Sequence, residues 1–319
     1  MKKDKILVTG AGGQLGTVLV KALQELKGVA NVIATDLYVK PEKENVLLSL
    51  DATNKVAVEQ IIEEYSITQI YHLAAILSAK GEEQPLQTWN INLKSLFTIF
   101  EAARKYRVSK VFFPSSIAVF GTSAPKFNTP QDSCLNPTTV YGISKVAGEQ
   151  WANYYFTKYG LDVRSLRYPG IIGHQSLPSG GTTDYAVDIY HKAVQRKPFE
   201  CYLKKNTALP MIFMADAVRA TLELMETPKN QIKTRTSYNL NALSFTPEQV
   251  AKSIQKWYPN FKITYKEDYR EAIAQSWSCS ILDTQAQEDW HWEPHYRLDD
   301  ISNEMLTELK KKYDLHSQL

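Results

Sequence analysis

The chain has 319 residues, 44% of them hydrophobic and 11% aromatic, enough for one large α/β domain with a smaller attached region or for two ordinary domains. With 37 basic against 34 acidic residues, a formal charge of +3 and no basic run, nothing points to nucleic acid as a partner. Met1-Lys2-Lys3-Asp4-Lys5 precedes only the short apolar run Ile6-Leu7-Val8, so neither a secretory segment nor a membrane span is expected.

Lys5 to Thr9 predicts a strand that stops at Gly10, and apolar spacing from Gln14 to Leu26 predicts the helix after it. Asn31 to Asp36 is the next strand. Helical patterns over Val56 to Tyr65 and Trp89 to Tyr106 alternate with the strand candidates Ile67 to Leu73 and Val108 to Phe113. A helix over Thr139 to Tyr159 and a strand over Asp162 to Tyr168 follow, ended by Pro169-Gly170. Beyond them come a glycine-rich loop at Ser179 to Thr183 and helices over Asp184 to Arg196 and Ala215 to Met225. Ser237 to Leu240, Pro247 to Trp257 and Lys262 to Tyr265 read as strand, helix and strand.

Strands alternating with helices predict a parallel sheet covered on both faces. Residues 1–170 are expected to form a dinucleotide-binding domain with returning segments near 205–242, and 171–204 with 243–319 a smaller, discontinuous substrate lobe. The fold class expected is α/β, a Rossmann-type doubly wound parallel sheet.

Gly10-Ala11-Gly12-Gly13-Gln14-Leu15-Gly16 lies between a strand and a helix, the context in which such a turn cradles a pyrophosphate. Glycine there tightens the turn and lets backbone and helix approach closely. Asp36 stands 20 residues after Gly16 at a strand end, where a carboxylate accepts from ribose hydroxyls; this favours NAD over NADP, although a helix cap or turn residue would look the same. Asp51-Ala52 is placed at the adenine edge, and Leu73-Ala74-Ala75 is small enough to lie against a flat ligand. Asn92 is expected to orient a lysine through a water or backbone link. His72 reads as a packed histidine.

Tyr141-Gly142-Ile143-Ser144-Lys145 begins 25 residues after Ser116. A tyrosine and a lysine four apart share one helix face, so the ammonium is expected to favour the phenolate. A serine alongside would hold an alcohol or carbonyl against the phenol. Cys134, Cys201 and Cys279 are few, far apart and accompanied by no histidine signature, which fits reduced thiols in a soluble, cytoplasmic protein. Pro294 interrupts His291 and His295, and no metal is expected.

With the glycine turn, Asp36, Ser115-Ser116-Ile117-Ala118-Val119-Phe120-Gly121 and Tyr141 to Lys145 in this order, the first 175 or so residues resemble the extended short-chain dehydrogenase/reductase superfamily. Arg167-Tyr168-Pro169-Gly170-Ile171-Ile172-Gly173, the segment Pro178 to Val187, Ser276-Trp277 and Asp289-Trp290-His291-Trp292 resemble its L-threonine 3-dehydrogenase branch. Ser179 stands where that branch often has glycine. The resemblance implies Ser116, Tyr141 and Lys145 as the catalytic set, with Lys145 also on the nicotinamide ribose. It implies Tyr168, Pro169 and Ile171 around the nicotinamide, Ser78 and Ser115 beside the substrate, and a homodimer through the helices at Trp89 to Tyr106 and Thr139 to Tyr159.

For a small zwitterion, Gly181, Thr182 and Thr183 offer N–H and hydroxyl groups to a carboxylate, and Asp184 offers charge to an ammonium. Thr183 or Asp184 as a plain helix cap is the alternative. The expected activity is oxidation of L-threonine at C3 to 2-amino-3-oxobutanoate with NAD. The alternatives are a nucleotide-sugar epimerase or dehydratase of the same superfamily and a non-catalytic NAD-binding protein.

Overall fold

The computed structural model describes residues 4–39, 47–178 and 180–316; Ser179 of the glycine loop lies outside them. In the first half, β1 (Ile6–Thr9), α1 (Gln14–Lys27), β2 (Val32–Asp36), β3 (Leu48–Ser49), α2 (Lys55–Glu64) and β4 (Gln69–His72) alternate. α3 (Ser78–Glu83), α4 (Pro85–Lys105), β5 (Lys110–Ser116), α5 (Val140–Tyr159), β6 (Asp162–Tyr168) and β7 (Gly170–Ile172) continue the chain. The second half holds α6 (Tyr185–Val194), β8 (Phe199–Cys201), β9 (Leu209–Phe213), α7 (Met214–Glu226), β10 (Tyr238–Asn239) and β11 (Leu243–Phe245). It ends with α8 (Pro247–Gln255), β12 (Ile263–Tyr265), α9 (Tyr269–Ser276), α10 (Thr284–Trp290) and α11 (Leu298–His316).

Seven strands pair in the order β10-β6-β5-β4-β1-β2-β3, all parallel. This is the doubly wound Rossmann-type sheet. β1, β4 and β6 are buried along their whole length, as strands covered on both faces must be. α1 and α7 cover one face with a core that includes Leu19, Leu23, Ala217 and Leu224. α2, α4 and α5 cover the other through Val58, Ile62, Leu96, Phe100 and Ala152. Strand order reverses between β1 and β4, so a crevice opens beyond their carboxyl ends. β5 pairs with β6 from Lys110↔Asp162 to Ser116↔Tyr168, which carries both of their ends to that crevice.

A separate apolar core gathers α6, α8, α11 and the turn Ile117–Val119 after β5. Trp290 and Trp292, expected in the substrate lobe, pack instead with Tyr238 and α7 against the large sheet. The helix expected from Trp89 starts earlier, with Pro85 in its first turn, where a missing N–H costs nothing. The helix expected to reach Arg196 stops at Val194, and Arg196 itself has φ 56°.

Candidate active site

A cleft of about 660 Å³ lies where the ends of β1, β4, β5 and β6 meet the second lobe. At its dinucleotide end stand Gly10, Gly13, Gln14, Leu15, Gly16, Asp36, Asp51 and Ala52. Gly10 has φ +71°, and a Cβ there would lie 2.6 Å from the Ala74 nitrogen. A Cβ on Gly16 would strike the Gly10 carbonyl. These contacts keep the turn closed, and no side chain caps the amino end of α1. The result is a backbone cradle with N–H groups and positive dipole, which suits a pyrophosphate. One oxygen of Asp36 accepts from the Gly12 N–H at 2.9 Å and the other from the Tyr38 N–H at 3.2 Å. Asp51 Oδ1 accepts from the Thr53 N–H at 2.8 Å in a local turn.

The middle of the cleft is formed by Leu73, Ala74, Ala75, Ser78, Ser115, Ser116, Tyr141, Lys145, Tyr168, Pro169 and Ile171. Asn92, the remaining expected cofactor residue, does not line it. Its amide oxygen accepts from the Ile76 N–H at 2.8 Å, and its nitrogen donates to the Ile76 carbonyl at 3.1 Å and to Ser144 Oγ at 3.4 Å, so it ties the loop after β4 to the helix beside Lys145. Lys145 Nζ donates to the Pro114 carbonyl at 2.7 Å and lies 5.4 Å from the centre of the Tyr141 ring.

Burial pushes the Tyr141 phenol up to about 12, with the Ser116 hydroxyl opposing part of the shift. Burial also brings Lys145 down to about 7, against the pull of the Glu149 carboxylate. Burial is thus the largest influence on both groups, and it opposes the acidic phenol expected beside Lys145.

The Ser115 hydroxyl donates to Glu149 Oε1 at 2.6 Å, so its proton is engaged by that carboxylate. Glu149 is 0% exposed and is also held by Arg167, whose Nη2 donates to Oε2 at 2.8 Å. The sequence reading missed this carboxylate. It stands four residues after Lys145, on the same face of the helix, and that spacing was the available signal. The Tyr168 hydroxyl is paired with Thr221 Oγ1 and its ring stays at the cleft wall.

At the far end, Gly181, Thr182, Thr183 and Asp184 line the second-lobe side, together with Trp277. Asp184 occupies the N-cap position of α6 without capping it, and its Oδ2 accepts from the Gly181 N–H at 2.9 Å. Thr182 is 1% exposed, and its hydroxyl has no hydrogen-bond partner among the described residues. Lys80 and Lys145 are the only basic side chains lining the cleft among the described residues.

His72 shares a hydrogen bond of 2.8 Å with Thr9 Oγ1, and burial first, then the charge of Lys145, lowers its pKa to about 3. It is a neutral packing residue. No group of His, Cys, Asp or Glu among the described residues is arranged to hold a metal ion. Burial pushes the Cys201 thiol up to about 11, which suits an inert thiol. No helix among the described residues is long and apolar enough to cross a membrane.

Residues 6–240 match the NAD dependent epimerase/dehydratase family. An uncharacterized epimerase/dehydratase of Staphylococcus haemolyticus is 43% identical over 97% of this chain and 98% of its own length. Among solved structures, the holo form of an L-threonine dehydrogenase from Cupriavidus necator is 48% identical and superposes with a TM-score of 0.94, over 96% of this chain and 100% of that one. A monomeric L-threonine 3-dehydrogenase from a metagenome, in apo form, is 46% identical with a TM-score of 0.94, over 96% of this chain and 99% of that one.

Proposed function

The chain belongs to the NAD-dependent epimerase/dehydratase family and uses NAD, and within that family we propose that it oxidises L-threonine at C3 to 2-amino-3-oxobutanoate. The observation that carries this reading is the second-lobe wall of the cleft. It offers Gly181, Thr182, Thr183 and Asp184, hydroxyl, amide and carboxylate groups suited to a small zwitterion, with no arginine or lysine among them to meet a sugar nucleotide's diphosphate.

NAD, when held in the cleft, would supply the acceptor for the hydride that leaves C3. Tyr141 takes the proton of the C3 hydroxyl once its phenol has ionised, a step that burial opposes and the Ser116 hydroxyl favours, so that the C–O bond becomes a carbonyl as the C–H bond breaks. Ser116 donates to the reacting oxygen and holds it against the phenol. Lys145 lies beside the Tyr141 ring, where its protonated form favours the phenolate, and Tyr168, Pro169 and Ile171 shape the pocket next to it. Gly10, Gly13 to Gly16 and Asp36 hold the dinucleotide. We assign the homodimer to this protein on the same footing, through α4 and α5.

Replacing Tyr141→Phe removes the proton acceptor and little else. Turnover is expected to drop by about a hundredfold or more, with the Kd for NAD within about twofold of the parent. NADH formation and cofactor titration measure the two quantities. Near-parent turnover would reject Tyr141 as base, and a parent enzyme that forms no NADH with L-threonine would reject the substrate.

A further inference from the structure

Tyr202 follows β8, outside the cleft lining, yet its hydroxyl reaches the wall that we assign to the substrate. The oxygen accepts from the Tyr185 N–H at 2.7 Å, in the first turn of α6. It stands 3.0 Å from the Gly181 carbonyl and 3.3 Å from the Thr182 carbonyl, and shares its single proton between them. Burial raises this phenol far above the ordinary tyrosine range, so the donor is always present. One hydroxyl thus fixes both the start of α6 and the two residues that precede its N-terminal turn. Thr182, the residue so held, carries a buried hydroxyl that has no hydrogen-bond partner among the described residues. Upstream, Gly180 has φ +93° and contributes no side chain that would anchor the loop.

The ring of Tyr202 is held from the other side. The Arg270 guanidinium lies 3.2 Å above its centroid and forks onto Asp268, with Nη2 at 2.6 Å from Oδ2. Asp268 caps α9 through the Arg270 N–H, and its own N–H donates to the Tyr202 carbonyl at 3.3 Å. α9 ends at Ser276, and the next residue is Trp277, the other second-lobe wall of the cleft. Lys126 fixes that end by donating to the Trp277 carbonyl at 2.9 Å.

We infer that Tyr202 is a positioning residue for the substrate: its hydroxyl sets the Gly181–Thr182 wall, and its stack with Arg270 ties that wall to the helix that presents Trp277. The inference rests on the reading that this loop binds the amino acid. Tyr202 touches neither cofactor nor reacting atoms, so its loss should act on substrate binding and not on chemistry.

Tyr202→Phe keeps the ring and removes the hydroxyl. The KM for L-threonine is expected to rise about tenfold, with kcat within about threefold and NAD affinity unchanged. Arg270→Met keeps the hydroxyl and removes the stack, and a rise of about threefold in the same KM is expected. An unchanged KM in Tyr202→Phe overturns the inference. So does a parallel loss of kcat, NAD binding and Tm, which a merely structural role would produce.

Hydrogen exchange reads the contact without any substrate: the Tyr185 amide should lose protection in Tyr202→Phe, and retained protection overturns the inference. Parent enzyme that never turns over L-threonine defeats the substrate reading instead. The exchange result then decides the Tyr202 contact alone.

Discussion

Lys145 is 4% exposed, and the groups around it decide how much of its charge survives: Tyr141 and Glu149 along its own helix, the neutral His72 from β4, the Pro114 carbonyl and the Phe113 ring from β5, and Arg167 from β6 through Glu149. With the folded lysine near pH 7 and the unfolded one at 10.5, the unfolded chain binds the extra proton between those values. Its burial therefore costs most below pH 7, and the cost is relieved as pH rises, by at most about 1.4 kcal/mol per pH unit. Lys145→Met carries no such cost. In the protein without NAD, its stability advantage over the parent should shrink steadily from pH 7 to 9 in urea titrations; His72, near 3, does not titrate in that window. A pH-independent difference would show that the lysine is not desolvated. Spacing alone put Tyr141 and Lys145 on one face, because helical periodicity is local. The Ser115–Glu149–Arg167 cluster joins β5, α5 and β6, and its partners become neighbours only once the sheet has formed.

Elements that pack through backbone contact are the most sensitive to small additions. α5 lies against the turn after β5, and a Cβ on Gly142 would collide with the Ala118 carbonyl and come within 2.6 Å of Pro137 Cβ. Gly142→Ala should push the helix off the strand that carries Ser116. It is expected to destabilise the protein by about 1–3 kcal/mol and to lower kcat more than the Kd for NAD. Urea titration and steady-state kinetics check both, and an unchanged kcat would mean that the Ser116–Tyr141 approach does not depend on this contact. The long strands β5 and β6 and the helices α1, α4 and α5 were legible because four or more turns or pleats repeat the same pattern. β3, β7, β8, β9 and β11, of two to five residues, were not read as strands. Their positions come from pairing, as when β9 joins β7 and β11 in a sheet of three. α9 has six polar or small residues among its eight, and its buried positions are Glu271, Ala274 and Ser276, so it offers little apolar periodicity, which is why the route from Tyr202 to Trp277 could not be read beforehand.

At the scale of the molecule, α5 turns aromatic side chains outward. Trp151 is 39% exposed, Tyr154 41% and Tyr159 44%, and Trp151 packs edge-on with Phe97 of α4 at 5.0 Å and with Tyr154 at 5.3 Å. Neighbouring exposed aromatic side chains of this kind are costly to leave in water. Gln150, Asn153 and Thr157 add a polar border. A two-fold axis through this face would lay α4 and α5 of one protomer on those of its partner, a self-complementary contact. Monomeric assembly also exists on this fold, since the metagenome enzyme is described as monomeric. The face therefore has to be tested in this chain. Sedimentation at micromolar concentration should show a dimer for the parent and a monomer for Trp151→Glu, because a buried unpaired carboxylate opposes association. None of Phe97, Trp151, Tyr154 and Tyr159 lines the cleft, so the dissociated variant should retain NAD binding. A parent that sediments as a monomer would leave these aromatics without the assigned role.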